Sequence, residues 1–292
     1  MATSPVRFRH PTSCAPNCPG SAWSRDTGCW NWAPAADTPP HCCASGSATA
    51  TSRRWRSTRS CPPARAGNLA KAGYHPEVVC GDGLAGRPAS GPFDRVIATA
   101  AVRHVPRAWL DQCTDGAVIL TPFGTCFANG GLLRLTVAHG RATGRFAGTA
   151  RYMWVRSERP SRELHPPETG RRAASPLDPG KVMGGPWAQN FALGLWVPDV
   201  GHAHRGEGEE RQVQFWDQTG TSVTLVSYGG WYEPTAVVAY GPGDLWSEVV
   251  AAYTSWRTAG QPDLGRFGIT LSDRAQYTWR DNPETVIAEH RS

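Results

Sequence analysis

The chain has 292 residues, with 30 basic and 24 acidic side chains and a net charge of +6. That length suffices for a full core and two domains, and no run of about 18 apolar residues is present, which excludes a helical membrane span. The positive charge does not point to nucleic acid: residues 1–66 hold 8 Arg and 2 Asp, leaving 22 basic and 22 acidic residues in the remainder, where a folded basic face would have to lie.

Residues 1–66 contain no Leu, Ile, Lys, Glu, Gln or Tyr, yet hold six of the nine Cys. Without Leu or Ile the segment lacks the apolar periodicity of a helix or strand, and it is expected to be aberrant, disordered and without regular structure. Cys14, Cys18, Cys29, Cys42, Cys43 and Cys61 show no repeated C-x-x-C spacing, so no metal site is expected. Cys80, Cys113 and Cys126 stand singly, which suits reduced thiols in a cytoplasm. No apolar signal-type core lies near the N-terminus, so the expected location is cytoplasmic.

A shift of reading frame gives the same segment another meaning. Let each new codon start on the third base of the old one at Cys29-Trp30-Asn31-Trp32-Ala33. The Trp codon is unique and Cys and Asn have two apiece, so the shifted text is forced to L-E-L-G. Carried on both sides, the codons permit EPGHRVLELGAGSGYTAALL, then VEVD. That is a strand, a glycine-rich turn, a helix start and a second strand ending in an acid, the nucleotide-binding opening of a Rossmann-like fold. Residues of about 22–64 therefore read as a frameshifted version of that opening.

From Asn68 the composition becomes ordinary. Residues 67–73 read as a helix end stopped by Gly73. Residues 77–80 form a short strand, closed by the turn Gly81-Asp82-Gly83. Residues 93–99 are a buried strand, 106–113 a helix with Pro106 in its first turn, and 117–121 another buried strand. Residues 132–138 and 149–155 read as a β pair around the turn His139-Gly140-Arg141. Short apolar strands alternating with helices argue for a parallel sheet with an antiparallel finish.

Residues 158–185, rich in Pro, Arg, Ser and Gly, read as a linker. Beyond them, 191–197, 212–216, 222–227 and 235–240 read as strands, 245–256 as a helix, and 266–271 and 276–279 as two final strands. Trp231, Trp246, Trp256 and Trp279 suit an aromatic core, and 186–292 is expected to be a small Trp-rich α+β accessory domain. His202-Ala203-His204, before an acidic stretch, reads as a solvated loop.

Gly81-Asp82-Gly83-Leu84-Ala85-Gly86 is followed by Gly91-Pro92-Phe93-Asp94-Arg95-Val96-Ile97, then Ala98-Thr99-Ala100-Ala101-Val102, Val105-Pro106 and Trp109-Leu110. With the glycine-bounded stretch 116–124 and Arg151-Tyr152-Met153, this text resembles the protein-L-isoaspartate O-methyltransferase family over residues 67–157. The shifted reading upstream resembles the family's first half, and the Trp-rich end resembles, more loosely, the extra domain of actinobacterial-type members. The resemblance implies an α/β Rossmann-like methyltransferase sheet, here with an incomplete first half at 1–66 and its later half at 67–157. It implies S-adenosyl-L-methionine as cofactor and methyl transfer to isoaspartyl or aspartyl carboxylates of a protein or peptide, in protein repair. Gly81, Asp82 and Gly83 would border the adenine, and Thr99, Ala100, Ala101 and Val102 would line the substrate. No catalytic base is assigned, because a carboxylate is already a nucleophile at neutral pH, and alignment with the methyl group does the work. No nucleic-acid or membrane partner is implied.

Local chemistry keeps other readings open. Asp82 also suits a simple turn former beside two glycines, and His104 suits an exposed loop residue. The chain has no glycine loop before its first strand, no acid after a second and no N-terminal Ser/Thr-rich substrate segment, so it is expected to hold the cofactor weakly or not at all. The rival expectation is a non-catalytic remnant that binds peptides or proteins through its C-terminal domain.

Overall fold

The computed structural model describes residues 29–32, 52–56, 77–273 and 275–291. The parallel part of the main sheet uses strands β1 (Cys29–Trp32), β2 (Ser52–Arg56), β3 (Glu77–Cys80), β4 (Phe93–Ala98) and the start of the long β5 (Cys113–Gly124). Their order is β5-β4-β1-β2-β3, and every neighbouring pair is parallel. The antiparallel part continues from β5 through β6 (Asn129–Ala138), β7 (Arg141–Thr149), β13 (Phe267–Leu271), β14 (Ala275–Arg280) and β15 (Val286–Arg291).

Two strands thus arise where the amino-acid text promised nothing regular. A parallel ladder uses backbone N–H and C=O groups of any residue type. Cys29, Trp30, Trp32 and Trp55 are apolar, and Trp is favoured in strands, so a test confined to Leu and Ile overlooks them. Both strands overlap the segments that the shifted frame spells as strands.

The second sheet is antiparallel, in the order β8-β12-β11-β10-β9. It is built from β8 (Gly170–Ala173), β9 (Gly201–Arg205), β10 (Gln212–Trp216), β11 (Val223–Ser227) and β12 (Val237–Tyr240). Helix α1 (Arg107–Asp111) follows β4, and α2 (Pro179–Met183) and α3 (Trp187–Trp196) precede β9. Helix α4 (Leu245–Thr258) follows β12 and is capped by Asp244, which accepts from Ser247 N at 3.2 Å.

One apolar cluster runs through both sheets. Helix α3 packs on the main sheet and against α4, which packs on the second. Its Phe191 meets Phe146 of β7 edge-on at 5.2 Å, and its Trp196 meets Phe267 of β13 at 5.4 Å. Trp246 of α4 packs on Phe215 of β10 at 5.5 Å. Residues 191–197, read as a strand, are helical because this apolar run is buried on all sides and carries no period that separates helix from strand. Residues 149–155 also differ. The partner of β6 is β7, where inward Ala142 and Phe146 alternate with outward polar residues, while Tyr152 and Met153 lie exposed beyond it at 40% and 53%.

The linker expected at 158–185 carries β8 and α2, and β8 is the edge partner of β12. The accessory segment expected at 186–292 does not keep to itself, since β13–β15 extend the main sheet from β7. His202 sits in β9 rather than in a solvated loop, with its ring 4.3 Å from that of Phe127. Of the Trp residues singled out, Trp246, Trp256 and Trp279 are buried as expected. Among the described residues, no helix is long and apolar enough to cross a membrane.

Candidate functional site

The register of the parallel strands fixes the site. Trp32 pairs with Ala98 and with Trp55, and Arg56 pairs with Cys80. The carboxyl ends of β4, β1, β2 and β3 therefore stand abreast on one rim. Strand order reverses between β4 and β1, and ligands of open α/β sheets bind outside the carboxyl ends at such a switch point. Two of the motifs leave from this rim, the Gly81-Asp82-Gly83 turn from β3 and the 99–102 loop from β4.

The glycine turn is built by its own carboxylate and by α1. Asp82 Oδ1 accepts from Leu84 N at 3.0 Å, an Asx turn. Trp109 Nε1 donates to Gly83 O at 2.7 Å from a fully buried ring. Gln112 Oε1 accepts from Arg87 N, and its Nε2 donates to Ala85 O at 2.9 Å. Gly86 has φ +64°, and a Cβ there would stand 2.6 Å from Gln112 Oε1, so both its left-handed backbone and the close approach of Gln112 require glycine. Asp82 itself is exposed. Its side chain forms the turn, as one of the two readings expects.

The 99–102 loop is stitched down rather than free. Ala101 N donates to Met153 O at 2.8 Å, and Val155 N donates to Ala101 O at 2.9 Å. Val102 N donates to Pro122 O, and Gly124 N returns to Val102 O, both at 3.1 Å. Ala100, Ala101 and Val102 are 0% exposed. Of the four residues expected to line a substrate, only Thr99 is partly open; among the described residues the other three present packed side chains and shape the rim from beneath.

The next residues carry the polar chemistry. Glu158 Oε2 accepts from Arg103 N at 3.1 Å, from His104 N at 3.2 Å, and contacts His104 Nδ1 at 3.2 Å. Burial pushes the Glu158 carboxyl up, but the hydrogen bonds and charges of His104 and Arg103 outweigh it and hold it below the ordinary carboxylate range. Gln276, 3% exposed on β14, accepts from Val105 N at 2.9 Å and donates to Arg103 O at 3.0 Å. Sequence reasoning missed Gln276 because 171 residues separate it from Val105. Its burial within an ordinary strand text was the one signal, and burial is a tertiary fact.

Two of the three cysteines that stand singly lie among residues whose side chains are described. Cys113 and Cys126 are free. Burial, aided by the Asp94 charge, pushes the Cys113 thiol up to about 12. Burial also raises Cys126, against the pull of Arg103. No group of three or more His, Cys, Asp or Glu among the described residues is placed to hold a metal.

Comparison with known proteins finds similarity over part of the chain. A sequence model described as protein-L-isoaspartate(D-aspartate) O-methyltransferase matches residues 64–152. A protein-L-isoaspartate O-methyltransferase of Methanococcus maripaludis is 40% identical over 74 residues, which is 25% of this chain and 34% of that protein. One from Methanococcus vannielii is 44% identical over 59 residues, or 20% of this chain and 28% of that protein. The chain thus spans about a third of the length of the curated relatives it matches. A solved protein-L-isoaspartate O-methyltransferase structure aligns with a TM-score of 0.45 at 14% identity, covering 88% of this chain and 77% of that one.

Proposed function

We propose, from the match of residues 64–152 to the protein-L-isoaspartate(D-aspartate) O-methyltransferase model, that the protein transfers the methyl group of S-adenosyl-L-methionine to the free carboxylate of isoaspartyl residues in proteins or peptides. The observation that carries this reading is the meeting of the Gly81-Asp82-Gly83 turn and the 99–102 loop on one carboxyl-end rim. The donor set there suits an adenosyl group. Asp82 is exposed, and only one of its oxygens is engaged among the described residues, which leaves an acceptor for an amino group. The cofactor, when bound, supplies an electrophilic methyl on a sulfonium.

The chain's own part is positional. Trp109 and Gln112 fix the turn that presents Asp82. Buried Ala100, Ala101 and Val102 give the acceptor side a rigid, apolar floor. A carboxylate needs no general base to attack, so the rate comes from holding it in line and excluding water. Gly81 and Gly83 serve the backbone approach at this turn.

Residues of about 22–64 enter the same proposal as an out-of-frame text of the nucleotide-binding opening. Support comes from the two strands at Cys29–Trp32 and Ser52–Arg56, which occupy the inner places of the sheet next to β4. Single thiols, free where described, suit a reducing cytoplasm. The decisive experiment compares the printed chain with a version whose frame is restored over 22–64, using labelled S-adenosyl-L-methionine and an isoaspartyl peptide. The restored chain is expected to transfer methyl groups, the printed chain to do so at least about tenfold more slowly, and Asp82→Ala to weaken cofactor binding by roughly tenfold. A restored chain that binds the cofactor yet leaves isoaspartyl peptides unmethylated would sink the proposal. So would equal cofactor affinity in the two versions, as far as the frame is concerned.

A further inference from the structure

The loop that follows residues 99–102 is fixed from outside itself. Gln276 lies on β14, and its one side-chain amide serves two loop residues: Oε1 accepts from Val105 N at 2.9 Å, and Nε2 donates to Arg103 O at 3.0 Å. Glu158 Oε2 takes the amides of Arg103 and His104. Ala101 N is on Met153 O and Val102 N is on Pro122 O. Every amide N–H from Ala101 to Val105 therefore has a partner, and the residues placed at the acceptor side run straight on into the bracketed ones.

The bracket has a stiff side and a soft side. The backbone of Gln276 is paired with Leu271 of β13 and with His290 of β15, so its strand is an inner one and cannot be re-aimed without breaking two ladders. Val105 belongs to the irregular segment between β4 and α1, which has no ladder of its own. Where the two are in conflict, the loop is the part that moves. Gln276 and Val105 are both buried, so a lost bond is not made good by bulk water. The chemistry is particular to glutamine. Its amide offers a donor and an acceptor on one planar group, whereas a carboxylate only accepts. An apolar side chain of similar length leaves Val105 N and Arg103 O without these bonds.

We propose that Gln276 is a positioning residue: its amide brackets the loop after β4 and so holds residues 99–102 in the shape that receives the substrate carboxylate. The inference rests on the acceptor assignment given under the proposed function. It gives the C-terminal strands of the main sheet a part in the reaction, because they set the geometry of the acceptor side. The cofactor side is held separately, by Trp109 and Gln112 on the glycine turn.

The test compares the full chain with Gln276→Met and Gln276→Glu. The control is Gln189→Met, which removes a buried amide of α3 that bonds Val182 O at 2.8 Å. Residue-resolved hydrogen exchange on the printed chain reads the loop. Gln276→Met is expected to speed exchange of the Ala101, Val102 and Val105 amides at least about tenfold, with the amides of β10 and β11 unchanged. Gln276→Glu keeps an acceptor for Val105 N and loses the donor for Arg103 O, and is expected to fall between. Methyl transfer to an isoaspartyl peptide, in the chain with its frame restored, reads the consequence. There Gln276→Met is expected to raise the peptide KM about five- to tenfold at unchanged affinity for S-adenosyl-L-methionine, and Gln276→Glu to recover part of the loss. Faster exchange confined to Val105, no change in exchange, an unmoved peptide KM, or equal effects of Gln189→Met each overturn the positioning role. If no isoaspartyl peptide is methylated even before substitution, the acceptor assignment falls, and the exchange pattern alone decides whether Gln276 governs the loop.

Discussion

At the residue scale, two buried histidines set how the fold answers to acid. Burial, with the charge of His204 adding, pushes the His202 pKa down to about 4. Burial, with His104 and Arg103 adding and Asp199 opposing, does the same for His290, also to about 4. The unfolded chain protonates both near 6.5. Between those values the unfolded state binds more protons, so stability falls as pH drops through the window, by up to about 1.4 kcal/mol per unit for each group. Urea midpoints at pH 7 and pH 5 measure this, and an unchanged midpoint would contradict it. His202 Nδ1 has no partner among the described residues, and its ring packs against those of Phe127 and Phe215, which also touch each other. His202→Phe is therefore expected to flatten the acid slope while keeping the packing.

At the scale of elements, the seam between β7 and β13 decides whether the C-terminal strands can join the main sheet. Ile269 pairs with Gly144 and Gly268 with Arg145. A Cβ on Gly268 would stand 2.3 Å from Gly144 O and 2.3 Å from the Trp279 ring. Two backbones and an indole thus meet where only hydrogen fits. Gly268→Ala is expected to destabilise by about 3 kcal/mol, because the clash is with backbone and a buried ring rather than a movable side-chain tip. Thermal unfolding of the variant gives the measurement, and a shift within error of zero would mean that the seam relaxes freely. The trace of this in the sequence was slight: glycine within a strand signals a close backbone approach, but which backbone comes close is set by the pairing partner.

At the scale of the whole molecule, the main sheet has to curl. Four strand spacings separate β5 from β14, about 19 Å in a flat sheet, yet the Gln276 side chain on β14 bonds the 103–105 loop, which Val102 ties to the end of β5. A ten-stranded sheet relieves its twist by such coiling. With α3 packed on the main sheet, α4 on the second, the two helices against each other and a single apolar cluster running through them, the described part of the chain is expected to unfold in one cooperative step. Calorimetry of the full chain tests this, and two separated transitions would contradict it. For the same reason, a chain cut after residue 185 is expected to lose its near-ultraviolet dichroism, since the cut removes α3, β13 and Gln276 together.

The amino-acid text by itself determined the strands around the glycine turn, because β4 and the middle of β5 are apolar runs bounded by turn residues, and it carried the motifs by which residues 64–152 match a family model. It also marked the break at residue 66, since composition and codon structure are properties of the chain alone. Tertiary structure alone decided that α3 is a helix, that β13–β15 belong to the main sheet, and that Gln276, Glu158 and His290 gather at the loop after β4. Those outcomes depend on contacts between residues far apart in sequence, where burial on all sides erases periodicity and hydrogen-bond partners are chosen by which strands lie side by side.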